Sequence, residues 1–583
     1  MIILGISGLP NAQEMLLTKN PEIDSLDERI CQGLDSAACL VIDGVVIAAA
    51  SEERFTGEKG TGKFPSNAIA FCLEVAGINK KDVDYIAHGF NYNKYKRFFS
   101  SNDDYFESVL STKSILSELN MNGWQDLERR FISIDHHLAH AASAYYPSGY
   151  KDALCIVSDG MAEISSLTIY ECINGDFKEI HKNSISNSLG LVYSICTRFL
   201  GFTFNSDEYK VMGMAAYGRP ITYHSFFKKL INLTNGDISV TWPKNALQQP
   251  EKGYPEIIKF IEEQTGLCAR KTKEEITQEH YDFAAALQSR LTSILEELTQ
   301  YWIKKTGISH LCLSGGTFLN CRANESICNS PLVDAVFIQP ASGDDGTALG
   351  AAFCAAHASD GQEKIASGFD PYLGPSYQPS CIQSVLNELE VDSNLKWTYV
   401  GIGNDYFEKA AADIADDKII AWFHGGMEFG PRALGNRSIL AKPNGENIKS
   451  RINCAVKFRE AFRPFAPAVL DDDLPILFTT RGLSPTQYML CTAKATEIGI
   501  KVASGVIHED GSARIQTVNK DINELFYKLL LEVRKKTGYG CTVNTSFNIK
   551  GQPLIMDPKT AIETFAKIGL DKLYIEGYIL WKI

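Results

Sequence analysis

The sequence predicts an α/β protein of two domains, the first of them an internally duplicated sheet unit. Three observations lead there. At 583 residues the chain is too long for one ordinary core. The order strand, gap, hairpin occurs twice in the first third, the pattern of a duplicated domain with a cleft between its halves. Farther on, two strands each run into a glycine loop, and the second loop opens directly onto a helix, as α/β units do.

In chain order, Ile2 to Ser7 is a short β-rich run. Ala38 to Ile42 and Val45 to Ala49 flank Asp43-Gly44, the strongest short hairpin signal. Asn67 to Ala76 reads as a helix and Tyr85-Ile86-Ala87 as a strand. After Lys151 the order repeats: Ala153 to Val157 is a strand, and Ser166 to Cys172 and Phe177 to His181 form a hairpin about Asn174-Gly175-Asp176. Tyr281 to Lys305 is a long helix, because Phe283, Leu287, Leu291, Ile294, Leu298 and Trp302 recur at three- and four-residue steps. Gly307 ends it. His310 to Leu313 leads into Ser314-Gly315-Gly316, and Ala335 to Ile338 into Ser342-Gly343-Asp344-Asp345-Gly346, where Thr347 begins a helix. Backbone N–H groups at such a start suit a phosphate, with Asp344 holding its counter-ion. The turn-rich stretch after Asp360 reads as a linker. The expected division is therefore a first domain over 1–358, a linker over 359–395 and a second domain over 396–583. In the last, strands lie near Ile419 to Phe423 and Val543, with helices over Tyr406 to Ile414 and Ile522 to Lys535.

Composition narrows the function. A net charge of −13 gives no global positive field for nucleic acid. None of the 15 cysteines forms a Cys-x-x-Cys pair, and Cys39, Cys155 and Cys312 sit in apolar runs, so they read as buried thiols of a reducing cytoplasm. No stretch approaches the ~20 apolar residues of a membrane-spanning helix, and the start lacks a signal peptide's basic region. A cytoplasmic protein with no membrane partner is expected.

Two constellations carry chemistry. His136 and His140 are four apart on a predicted helix, so both imidazoles leave one face, the geometry of two ligands on one metal ion. The strand Ala153 to Val157 ends at Ser158-Asp159-Gly160, placing the Asp159 carboxylate where it completes such a site. The second constellation gathers cations in an otherwise acidic chain: Arg432 and Arg437 within Gly430 to Ser438, Lys457, Arg459 and Arg463 before Pro464, Arg514, and Asn544 to Asn548. Arginines beside glycine, asparagine and serine suit phosphate and carboxylate recognition.

These residues carry a resemblance. Glu52-Glu53-Arg54-Phe55, His136-His137-x-x-His140-Ala141, Asp207 to Gly213, Gly315-Gly316 with Asn320, Gly343-Asp344, Gly430 to Ser438, Lys457 to Pro464 and Asn544 to Asn548 occur in the order found in O-carbamoyltransferases of the NodU/CmcH type. The resemblance implies an N-terminal domain of the duplicated actin/Hsp70-like ATPase fold, similar to tRNA threonylcarbamoyl-transfer enzymes, and a YrdC-like twisted α/β domain after it. It implies that carbamoyl phosphate and Mg²⁺-ATP yield a carbamoyl adenylate in the second domain. That adenylate then passes internally to the first, where a small-molecule hydroxyl takes the carbamoyl group and AMP leaves. By the same resemblance, Arg432, Lys457, Arg463, Arg514, Asn544 and Ser546 bind carbamoyl phosphate and ATP, with Lys457, Arg463 and Arg514 in catalytic roles. Lys210, Gly160, Gly315, Gly316 and Asn320 line the substrate and nucleotide site of the first domain. His136, His140, Asp159 and Asp344 hold one divalent metal, often iron in relatives. His137, next to these ligands, reads either as a base for the acceptor or as a structural residue. A homodimer is carried as an expectation about assembly.

One departure stands out. Relatives carry His-Asp where this chain has Leu34-Asp35, and Leu34 cannot ligate; the segment Pro10 to Gln32 also reads as an insertion. A remodelled acceptor site is the expected consequence. Two other enzyme readings share parts of the fold. Transfer to tRNA is opposed by the acidic charge, and carbamoyl delivery in hydrogenase maturation by the missing Cys-x-x-Cys pairs. A nucleotide-binding regulatory protein with a decayed site has Leu34 in its favour and the remaining ligand set against it.

Overall fold

The computed structural model describes residues 1–583 apart from 100–102, 249, 361–367, 389–393, 446, 458–459, 461 and 482–484, and apart from the side chains of residues 103, 359, 360 and 457. It divides into two compact units. One is Met1–Glu53 with Gly60–Phe369; the other is Arg54–Lys59 with Asp370–Ile583.

The first unit is built on two five-stranded sheets of one topology. In the first, β1 (Ile2–Ile6) pairs antiparallel with β2 (Ala37–Ile42), which turns at Asp43-Gly44 into β3 (Val45–Ser51). On the other side β1 pairs parallel with β4 (Tyr85–His88), and β4 with β5 (Phe131–Ser133). In the second, β6 (Asp152–Ser158) pairs antiparallel with β7 (Ser165–Ile173), followed by β8 (Asp176–Ser184). A two-stranded ribbon intervenes, β9 (Ile231–Thr234) with β10 (Asp237–Val240). On its other side β6 pairs parallel with β11 (His310–Ser314), and β11 with β12 (Ala335–Ile338). The two orders, β3-β2-β1-β4-β5 and β8-β7-β6-β11-β12, are the same. The repeat read from two hairpins is thus a duplicated sheet of the actin/Hsp70 kind.

Helices position the site. Residues 10–32, read as an insertion, form α1 (Ala12–Lys19) and a loop in which Asp27 pairs with Arg198 at 2.7 Å. Helix α2 (Ser66–Ala76) is capped by the buried Glu52, whose carboxylate accepts from the backbone N–H of Asn67 and Ala68. Helix α3 (His136–Ser148) follows β5, α4 (Leu189–Phe199) starts at the Ser188 side-chain cap, and α5 (Gln278–Thr306) buries the whole predicted apolar stripe and ends at Gly307 with φ +75. Helices α6 (Cys321–Asn329) and α7 (Gly346–Asp360) follow β11 and β12. Helix α7 packs with its backbone exposed on two sides. A Cβ added to Gly350 would lie 1.7 Å from the Ala139 carbonyl oxygen of α3, and one added to Gly5 of β1 1.8 Å from the Ala348 oxygen.

In the second unit, residues 379–388, expected within a linker, form α8 (Pro379–Glu388), which buries Ile382 and Leu386 in the core. The proline and glycine turns before it mask this short apolar face in the sequence. The strands are β13 (Leu395–Tyr399), β14 (Ile420–Phe423), β15 (Arg437–Ala441), β16 (Ala466–Leu470), β17 (Phe478–Thr479), β18 (Thr492–Ala495), β19 (Ser512–Arg514), β20 (Gln516–Val518), β21 (Cys541–Ser546), β22 (Lys572–Ile575) and β23 (Tyr578–Lys582). Among the described residues they form an eight-stranded mixed sheet, β13-β23-β22-β14-β15-β21-β16-β20, and a three-stranded one, β17-β18-β19. Helices α9 (Asn404–Ala415) and α10 (Glu524–Thr537) cover one face, where Tyr406 and Phe526 meet Ile420 and Trp422; Ala421 and Phe423 face the core that holds Ile382. Burial on both faces explains why β14 reads as a continuous apolar run. Among the described residues, no helix is long and apolar enough to cross a membrane.

Candidate metal centre and substrate-binding residues

Four side chains from three elements converge in the first unit. His136 and His140 project from one face of α3, Asp159 follows β6, and Asp344 precedes α7. One ligand atom from each lies within 4.8 Å of the others. His136 Nε2 is 3.5 Å from Asp159 Oδ2 and 3.4 Å from Asp344 Oδ1; His140 Nε2 is 3.9 and 3.6 Å from the same oxygens. Both imidazoles are fully buried.

The surroundings orient these donors outward from their supports. His136 Nδ1 lies 2.9 Å from the Gly89 carbonyl oxygen, which can only accept, so Nδ1 carries a proton and Nε2 is the atom turned to the carboxylates. His140 Nδ1 meets Ser314 Oγ at 3.2 Å. Asp159 Oδ1 accepts from Gly316 N–H at 3.2 Å, which gives the first glycine loop a defined task. Burial would lower the pKa of His136, but the facing charges of Asp344 and Asp159 outweigh it and hold it well above the ordinary value. For both Asp159 and Asp344, burial is likewise outweighed, chiefly by the imidazoles, and their pKa values fall. Two carboxylates facing two buried imidazoles attract a positive charge, and a mixed nitrogen and oxygen donor set suits a divalent transition ion. The residues present fit such an ion.

The remaining expectations in this unit fall out variously. His137 points elsewhere on α3: its Nδ1 meets Thr168 Oγ1 at 2.7 Å and Ser165 Oγ at 3.3 Å, while its buried Nε2 has no hydrogen-bond partner among the described residues. Burial holds its pKa well below the ordinary value, so the ring is neutral. Gly315 has φ +97 and passes so close to Ser158 that a Cβ would lie 2.3 Å from its carbonyl oxygen. The Gly160 carbonyl accepts from Ser188 Oγ. Asn320 caps α6 and exchanges side-chain amide bonds with Gln288. Lys210 is ion-paired with Asp207 at 2.8 Å. The start of α7 is not an open phosphate cradle, since the N–H groups of Gly346, Thr347 and Ala348 bond to the carbonyls of Gly343, Asp344 and Asp345, and Asp344 turns to the histidines.

In the second unit the sheet gathers the predicted residues at neighbouring positions. Asn544 on β21 lies between Leu440 of β15 and Ala466 of β16 in register, three residues beyond Arg463. Its side chain is buried and donates to Gln516 Oε1 at 2.7 Å and to the Ala433 carbonyl, next to Arg432. Gln516 follows Arg514 by two residues and donates to the Leu434 carbonyl. Ser546 Oγ donates to Asn548 Oδ1. Arg432, Arg463 and Arg514 are half-buried; the Lys457 side chain lies outside the described residues.

The family described as Carbamoyltransferase N-terminus matches residues 33–353, and that described as Carbamoyltransferase C-terminus matches residues 411–582. The chain belongs to the carbamoyltransferase family. Nodulation protein NolNO of Sinorhizobium fredii is 34% identical to this carbamoyltransferase over 598 residues, covering 100% of this chain and 83% of that protein. Nodulation protein NolO of Bradyrhizobium diazoefficiens is 33% identical over 451 residues, covering 77% and 79%. A solved HypF, in the phosphate- and nucleotide-bound form, aligns over 63% of this chain and 56% of its own at 13% identity, with a TM-score of 0.31.

Sequence reasoning missed several supports of the carbamoyltransferase sites. Glu163, buried at the turn after Asp159, accepts from the backbone N–H of both His136 and Asn91, and so fixes the start of α3. Glu428 Oε1 accepts from the N–H groups of Leu434, Asn436 and Arg437, shaping the loop that carries Arg432. A Glu three residues after Asp-Gly was the only available signal for Glu163. At the departure from relatives, Leu34 is buried. The neighbouring Gln32 donates to the carbonyls of Met161 and Ala162 and accepts from the Tyr92 hydroxyl.

Proposed function

We propose that this enzyme is an ATP-dependent O-carbamoyltransferase. Its second unit makes a carbamoyl adenylate from carbamoyl phosphate and ATP, and its first unit delivers the carbamoyl group to a hydroxyl of a small-molecule acceptor. The observation that carries the reading is the four-residue donor set in one unit, together with a separate arginine- and asparagine-bearing sheet in the other, in a chain of the carbamoyltransferase family.

In the second unit, Arg432, Arg463 and Arg514 offer guanidinium charge to phosphate oxygens and to the charge that builds during adenylation, joined by Lys457. Asn544 and Ser546 supply neutral hydrogen-bonding groups beside them. In the first unit, His136, His140, Asp159 and Asp344 would hold a divalent ion, with iron the family-implied choice. Such an ion supplies Lewis acidity toward the adenylate phosphate and carbonyl. Glu163 and Gly89 keep His136 in place for that task. The acceptor oxygen attacks the carbamoyl carbon as the bond to the AMP phosphate breaks, and the hydroxyl proton leaves with a base; His137, neutral and bonded to Thr168 and Ser165, is the nearby candidate for that role. The glycines at 160, 315 and 316 let backbone approach the nucleotide, and Lys210 and Asn320 line its site.

Release of AMP and pyrophosphate from ATP, measured with and without carbamoyl phosphate and before any acceptor is supplied, tests the reading. Release that requires carbamoyl phosphate supports it. A folded protein with Mg²⁺ that binds ATP but turns nothing over, even with a panel of hydroxyl acceptors, favours instead a regulatory protein, the reading that the buried Leu34 at a relative's histidine position recommends.

A further inference from the structure

An open pocket of about 290 Å³ lies in the first unit on the side of α3 away from His136 and His140, bordered by α3, the β7–β8 hairpin and α7. Three aromatic rings form its box. Phe177 stands 5.6 Å from Tyr146 and 6.1 Å from Tyr170 between centroids, at interplanar angles of 71° and 88°. Three carboxylates, Asp135, Asp176 and Glu179, lie on the same lining, with no lysine or arginine among the lining residues. Lys94 and Lys182 pair with Asp135 and Glu179 from outside the pocket, and His357 lies 3.5 Å from Asp176.

The second observation is Tyr170. As a residue it is 6% exposed and it lines the pocket; its hydroxyl makes no hydrogen bond among the described residues and is not itself fully buried, so it opens onto the pocket. Burial, and after it the charges of Glu179 and Asp135, keep this phenol protonated. A hydroxyl with no protein partner that opens onto an aromatic pocket bordered by carboxylates is available to a ligand there. Aromatic faces attract cations through their quadrupoles, and carboxylates add to the attraction. The size suits a compact ligand, at the lower end of small-molecule pockets.

We propose that this pocket binds a small organic ammonium ion, its cationic head between Tyr146, Tyr170 and Phe177 and turned toward Glu179 and Asp176. The site is separate from the candidate metal centre and does not depend on the reaction assigned above. Its N-terminal wall, Asp135, immediately precedes His136, so occupancy would be felt at the start of α3.

Calorimetric titration of the full chain with choline, and with the uncharged 3,3-dimethylbutan-1-ol of the same shape, tests the proposal. Saturable choline binding is expected, with the neutral isostere not binding. Tyr170→Leu and Glu179→Gln should each weaken choline by about tenfold. Glu179 is exposed, so its variant carries the test where Tyr170→Leu does not fold. Absence of saturable choline binding, equal binding of the isostere, or choline binding unchanged in the folded variants would overturn the proposal.

Discussion

The ring of Phe90 lies flat against the imidazole of His136, with centroids 4.1 Å apart and planes within 10° of parallel. Together with the Gly89 carbonyl on Nδ1, this contact fixes the imidazole by face and edge. An aromatic pair of this kind contributes about 0.5–1.5 kcal/mol beyond area burial. Phe90→Leu is therefore expected to weaken metal binding by up to about tenfold while leaving the fold intact. Equilibrium dialysis against a metal buffer, with metal content read by elemental analysis, checks it; unchanged affinity would leave Phe90 a packing residue only.

Removing a ligand acts more strongly. His140→Ala is expected to lose the bound metal and carbamoyl transfer, yet to retain AMP release dependent on carbamoyl phosphate, because adenylation is assigned to the other unit. If AMP release disappears with the metal, that division of labour is wrong.

Arg463→Ala is expected to reduce carbamoyl-phosphate-dependent ATP turnover to background, since the substrate's phosphate would lose a charged partner. A Lys at this position should restore part of it. Turnover equal to the parent would remove Arg463 from the site.

Arg437 lies in the same motif as Arg432 but is fully buried and serves the fold. It donates to the carbonyls of His424, Asn436, Pro375 and Gly425 and stacks over Phe423 at 3.7 Å. Arg437→Leu leaves those carbonyls without their donor and should destabilise the second unit by about 3–5 kcal/mol. Hydrogen exchange across residues 420–441 would register it as loss of protection, with the first unit unchanged.

His88 supplies a pH dependence. Burial lowers its pKa from 6.5 to about 4, against the opposing bond from its ring to Gly8. Because the folded state holds the ring neutral, its contribution is complete above pH 6.5. As pH falls below that, the unfolded chain takes up the proton first, and stability declines until the folded pKa near 4 is passed. The total is about 3 kcal/mol at ~1.4 kcal/mol per pH unit. His88→Asn should flatten this part of the urea-unfolding stability curve relative to the parent; parallel curves would refute it.

How much of this was legible before the fold was known follows from the range of each interaction. Local patterns sufficed for α5, because six apolar residues at helical spacing determine a face, and for the two hairpins, because Asp43-Gly44 and Asn174-Gly175 dictate their turns. His136 and His140 were visible as a pair because one helical turn joins them. Asp344 belongs with them only through the packing of α7 on α3, so the residues alone suggested a phosphate counter-ion for it; the resemblance supplied the ligand role. Glu163 and Gln516 escaped notice for the same reason: each acts through partners distant in sequence. Arginines were recognisable as a group, but the sequence did not distinguish Arg437, enclosed by carbonyls, from its half-buried neighbour Arg432. That distinction depends on burial.

The assignment of residues 54–59 to the second unit means that the chain passes between its units three times, after Glu53, Lys59 and Phe369. Arg54, buried, donates to the Gly430 carbonyl at the head of the arginine motif. A gene cut at the 369/370 boundary would thus leave the C-terminal fragment without a side chain that it needs, and hand the N-terminal fragment six residues with nothing to rest on. Exchange of one half between relatives is subject to the same constraint: a C-terminal half is inherited whole only if a short piece encoded hundreds of residues upstream travels with it.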